Sequence, residues 1–137
     1  MMSTNQEFYD SIWTKAMEDR FIEEAISAKE NGRWRVAPNW RNPMFVQQIT
    51  PIINAEFGLS LPVAYYADKV ESLFERQNTF QFRKGHYDVY WNEEANEVTM
   101  DQGTFSELAT LTPLTHAYRA RGEPQYRKLF ALFTDDQ

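Results

Sequence analysis

The chain has 137 residues, of which 42% are hydrophobic and 15% aromatic, enough for one ordinary domain with an apolar core. It contains no cysteine, which excludes disulfides, thiolate zinc sites and cysteine nucleophiles. The net charge of −6 opposes binding to phosphate backbones, although a local basic patch can still act within a Debye length of about 10 Å. With no long apolar run and no signal-peptide pattern, we expect a soluble, intracellular protein.

The first predicted helix begins after Thr14, which can cap it, and ends at Asn31-Gly32. Its apolar residues recur at three- and four-residue spacing and are expected to face the core: Met17, Phe21, Ile22, Ala25, Ile26 and Ala28. Its acidic residues are expected to face solvent: Glu18, Asp19, Glu23 and Glu24.

The connection over residues 32–43 interleaves arginines with two tryptophans, and its two prolines bar regular helix through much of it. The second predicted helix starts at Asn42-Pro43 and runs to Phe57, with Gly58 as its stop. Pro51 removes one backbone hydrogen bond inside this helix, which predicts a kink or a short break.

The third predicted helix follows Ser60-Leu61-Pro62 and extends to about Lys84, with Gly85 as its stop. Its predicted core face is formed by Val63, Tyr66, Val70, Leu73, Gln77 and Phe80. Residues 79–91 also allow a hairpin, because apolar residues alternate on both sides of Gly85, but the helix is preferred.

Two β-favouring runs, 87–91 and 97–100, flank a polar segment and predict a small hairpin or an extended corner. Three short helices are predicted after it: Asp101 to Leu111, Thr112-Pro113 toward Arg121-Gly122, and Glu123-Pro124 through Phe133.

A series of residues carries a family resemblance over nearly the whole chain: Trp13-Thr14, Asp19-Arg20-Phe21, Phe57-Gly58-Leu59, Leu61, Leu73, Val89-Tyr90-Trp91-Asn92, Val98-Thr99, Asp101, Phe105, Pro113, Tyr118-Arg119, Pro124, Tyr126, Leu129 and Phe133. In this order and spacing the chain resembles the plant Myb/SANT-like DNA-binding domain family. Val46 stands where the second tryptophan of the Myb pattern is expected.

The resemblance implies an all-α fold with a Myb/SANT-like three-helix core, a short β corner and additional C-terminal helices. A single domain over residues 13–134 is expected, with a flexible leader at 1–12 and a tail at 135–137. The resemblance further implies a nuclear protein of a transcription, chromatin-regulating or Harbinger-transposase-derived complex. It leaves the oligomeric state open.

The third helix departs from the family pattern, in which Lys and Arg surround an Asn-Arg-Trp stretch. Asp68-Lys69-Val70 stands there instead, and acidic or apolar residues occupy positions that are usually basic. We therefore predict that the helix binds another protein rather than DNA, through Tyr65, Asp68, Glu71, Phe74 and Glu75. For Tyr65 and Phe74, packing in the core is an equal alternative, and Trp34 and Trp40 are further candidate anchors.

The alternative function is DNA binding, in which the basic loop and the third helix hold phosphates without reading bases. The candidate residues are Arg33, Trp34, Arg35, Arg41, Lys69, Arg76, Arg83 and Lys84. Pairing of these arginines with surface carboxylates is the structural alternative to that role.

Neither catalysis nor a metal or other cofactor is expected. His86 and His116 are the only imidazoles and lie in no metal-binding or nucleophile motif. The acidic cluster Glu93, Glu94, Glu97 and Asp101 lacks the alternating ligands and central glycine of a calcium loop.

Overall fold

The computed structural model describes residues 9–10, 12–31, 45–84, 89–111, 113–118 and 121–133. Within these ranges the chain is mostly helical, which confirms the all-α class. Among the described helices, none is long and apolar enough to cross a membrane.

The helices and strands of the described ranges follow in this order: α1 (Lys15–Glu30), α2 (Phe45–Phe57), α3 (Val63–Lys84), β1 (Tyr90–Asn92), β2 (Glu97–Thr99), α4 (Gln102–Leu111), a 3₁₀ helix (Pro113–Tyr118) and α5 (Tyr126–Phe133). They form two compact units. The helical unit contains Asp10–Phe74 and residues 127–133, and the hairpin unit contains Tyr9 and Glu75–Tyr126. The predicted boundaries 13–134 stay a prediction.

In the helical unit, α1 begins where the sequence predicts, because the Met17 amide donates to the Thr14 hydroxyl at 3.2 Å. One apolar core takes side chains from α1, α2, the first part of α3 and α5: Trp13, Met17, Phe21, Ile22, Ala25, Ala28, Val46, Ile49, Ile53, Tyr66, Val70, Leu73, Leu129, Leu132 and Phe133. The Lys29 ammonium also donates to the Ala131 carbonyl at 2.5 Å, which joins α1 to α5.

Helix α2 runs without interruption through Pro51, so the predicted alternative of a short break is wrong, and the alternative of a kink stays a prediction. Pro51 is exposed, and the carbonyl that loses its amide partner belongs to Gln47, which is exposed as well. Water can therefore satisfy that carbonyl, and the helix continues. The predicted stop is confirmed, because Gly58 adopts a φ of 66°, the left-handed region that glycine favours.

Asn54 fixes the turn between α2 and α3. Its amide nitrogen donates to the Leu61 carbonyl at 3.0 Å, and its amide oxygen accepts from the Leu61 amide at 3.2 Å and the Tyr66 hydroxyl at 2.6 Å. The start of α3 is thereby attached to α2 through one side chain.

Helix α3 extends to Lys84, so the alternative hairpin over its end is wrong. Its predicted core face is buried from Tyr66 to Phe80. Val63, for which the spacing predicts the same face, is 39% exposed. It is the first residue of the helix, where no further turn precedes it to shield the side chain.

In the hairpin unit, β1 and β2 pair antiparallel with Trp91 opposite Val98, so of the two predicted alternatives the small hairpin is present. Asn96 closes the turn with a φ of 53°. A second apolar core is formed by Phe80, Val89, Val98, Leu108, Ala117 and Tyr118.

The last two predicted helices are shorter than expected. The first is only the 3₁₀ helix, and α5 begins at Tyr126 instead of Glu123-Pro124. Glu123 lies before the helix. Its carboxylate accepts a hydrogen bond from the Gln125 backbone amide at 2.6 Å, and its carbonyl accepts one from the Tyr126 backbone amide at 3.1 Å. Its carboxylate and its carbonyl therefore both stabilise the turn that precedes α5.

Part of the predicted flexible leader takes part in the fold. Asp10 accepts hydrogen bonds from the amides of Ile12 and Trp13 at 2.8 and 2.6 Å. Tyr9 packs against the core of the hairpin unit.

Candidate partner-binding surface on helix α3

Where the side chains of α3 are described, its acidic residues are exposed to solvent and its basic residues are buried. Asp68, Glu71 and Glu75 are exposed. Lys69 and Arg76 are buried, at 7% and 4% exposure. Over residues 63–82, where the side chains of this helix are described, every exposed charge is therefore negative.

Lys69 lies in the helical unit with its ammonium 2.8 Å from a carboxylate oxygen of Glu18, which is 0% exposed. The same ammonium lies 4.6 Å from the centre of a Trp13 ring, a cation–π contact. Two predictions are corrected here. Lys69 is buried and cannot contact phosphate, and Glu18 is buried and does not face solvent. The two charges neutralise each other inside the core.

Arg76 lies in the hairpin unit and makes a two-point ion pair with Glu123. Its Nε and Nη2 atoms are 2.8 and 2.9 Å from the two carboxylate oxygens. The Tyr118 hydroxyl and the Gln125 backbone amide donate to the same carboxylate at 2.7 and 2.6 Å. Because Arg76 is buried, the prediction that it contacts nucleic acid is wrong.

The two aromatic candidates, Tyr65 and Phe74, are half-buried and pack against the core of the helical unit. Tyr65 stacks on Trp13 with 6.1 Å between ring centroids and 2° between planes. Phe74 meets Phe133 edge to face at 5.2 Å. Both rings therefore contribute to the core, and only their outer parts are available to a partner.

Burial raises the pKa of Tyr65, and the nearby Asp10 carboxylate raises it further. For Tyr118, burial is again the main cause, and together with the Glu123 carboxylate it raises the pKa well above the ordinary value. Both phenols are therefore neutral at physiological pH, and the Tyr118 hydroxyl donates to the Glu123 carboxylate.

The remaining sequence candidates fall largely outside the described residues. These are Arg33, Trp34, Arg35, Trp40, Arg41 and His86, together with the side chains of Arg83 and Lys84. His116 is exposed, with its ring edge-on to Phe105 at 5.1 Å. Within the described ranges, no three acidic or histidine side chains are grouped so that they could hold a metal ion.

Sequence reasoning missed the two buried carboxylates, Glu18 and Glu123. A signal for the first was present, since Glu18 precedes Phe21 and Ile22 by three and four residues and so lies on the apolar side of α1. Lys69 likewise follows Tyr66 by three residues on the apolar side of α3. Glu123 lies in an irregular segment without periodicity, so no sequence signal marked it.

Comparison of the chain with protein-family models, with curated proteins and with solved structures gives no match. The Myb/SANT-like resemblance consequently depends on the sequence residues that carry it.

Proposed function

We propose that this chain is a non-enzymatic nuclear adaptor of Myb/SANT-like type, which binds a basic surface of a chromatin-associated or transposase-derived protein through the exposed side of α3. One observation carries the proposal: in the helical unit, the exposed charges of α3 are Asp68 and Glu71, while Lys69 forms a buried ion pair. In the hairpin unit, Glu75 is exposed and Arg76 forms a buried ion pair.

The charge distribution favours a protein partner over nucleic acid. A helix that reads DNA needs cations beside it to hold phosphates and polar side chains that bond base edges. Exposed carboxylates repel phosphates instead, and a basic protein surface complements them. Such complementarity raises the association rate and the specificity more than the affinity.

The Myb/SANT-like part of the proposal is supported by the large aromatic side chains that α1 and α3 share. Trp13 and Phe21 meet edge to face at 5.4 Å, and Tyr66 of α3 contacts both rings. Val46 is fully buried at the position where the family carries a second tryptophan. A smaller side chain there is compatible with a repacked core.

The proposal is tested by affinity capture of partners from nuclear extract with the tagged chain, with and without nuclease. We expect a partner that is retained after nuclease treatment and lost with the double variant Asp68→Lys/Glu71→Lys. The matched control is Glu94→Lys/Glu107→Lys, which changes the net charge equally at exposed carboxylates elsewhere. Equal loss of the partner with both double variants would contradict a role for α3.

Loss of every captured protein after nuclease treatment would support the alternative function, DNA binding through residues 33–41. That loop lies outside the described residues. Of the α3 cations assigned to this alternative, Lys69 and Arg76 are buried and cannot assist it.

A further inference from the structure

We draw no further inference here: the strongest candidate, the acidic side of helix α3 at Asp68 and Glu71, is the surface on which the proposed function already rests, and nothing in the described part of the chain shows what covers it.

Discussion

At the scale of single residues, Glu123 organises the polar interior of the hairpin unit. Its carboxylate accepts hydrogen bonds from two nitrogens of Arg76, from the Tyr118 hydroxyl and from the Gln125 backbone amide. Its carbonyl accepts from the Asn96 side chain at 2.9 Å. A buried charge that is so fully satisfied costs little to keep, but its removal leaves a buried cation without a counter-charge.

We therefore expect Glu123→Ala to destabilise the protein by about 3–5 kcal/mol, because Arg76 stays buried without its carboxylate. The measurement is the free energy of unfolding from urea titration. Glu107→Ala, at an exposed glutamate of the same unit, serves as the control and should leave the urea midpoint unchanged. A similar midpoint for both variants would show that the buried ion pair contributes little.

A second prediction concerns Gly122, which lies against the hairpin turn. A methyl group at this position would overlap the Asn96 side-chain oxygen and lie 2.8 Å from the Trp91 indole nitrogen. These two atoms hydrogen-bond each other at 2.8 Å, so a shift of either one alone strains that bond. We expect Gly122→Ala to cost about 1–3 kcal/mol, as other overpacked sites do.

The matched control for Gly122→Ala is Gly103→Ala on helix α4. There the nearest atom to the new methyl group is an Asp101 carboxylate oxygen at 3.5 Å, an ordinary contact. Since alanine is a better helix former than glycine, this variant should gain up to about 1 kcal/mol. Equal urea midpoints for the two variants would contradict the close approach at Gly122.

At the scale of elements, α4 shows how one side chain begins a helix. The Asp101 carboxylate accepts from the Thr104 amide at 2.7 Å. This hydrogen bond lowers the pKa of Asp101 below its ordinary value of 3.8. The cap therefore contributes stability above the unfolded-state pKa, and that contribution is lost as the pH falls through the folded-state pKa.

We expect the free energy of unfolding of Asp101→Asn to fall less steeply with decreasing pH than that of the natural chain. Asparagine still caps the helix but does not titrate, so the variant should lose less stability than the natural chain between about pH 5 and pH 2. Urea midpoints across this range provide the measurement, with Glu107→Gln as the acid-to-amide control on the same helix. An identical acid dependence in the natural chain and Asp101→Asn would refute this role of the carboxylate.

At the scale of the whole molecule, the net charge of −6 acts together with the burial of Lys69 and Arg76. We predict that the chain does not bind duplex DNA with a Kd below about 1 μM, even at about 50 mM salt, where electrostatic attraction is strong. Fluorescence anisotropy with a labelled duplex is the measurement. Submicromolar binding that weakens steeply as salt rises would instead establish the DNA-binding alternative.

Several helix ends and one buried helix face could be predicted from the residues alone, because helix caps, stop residues and apolar spacing act over a few residues. Thr14 and Gly58 mark helix ends as predicted, and the buried positions of α3 from Tyr66 to Phe80 follow their spacing. The exposed acids of the candidate surface were predictable for the same reason: Asp68, Glu71 and Glu75 fall outside the apolar positions of the helix.

The partners of the buried charged residues depend on how distant segments of the chain pack together. Glu18 pairs with Lys69 across 51 residues, and Arg76 pairs with Glu123 across 47. The spacing of residues within one helix shows that a charged side chain faces the core. It does not show which distant residue becomes its ion-pair partner, because that depends on how the helices and loops pack. These pairings remove both described cations of α3 from its surface, and so the sign of the exposed charge was settled by folding.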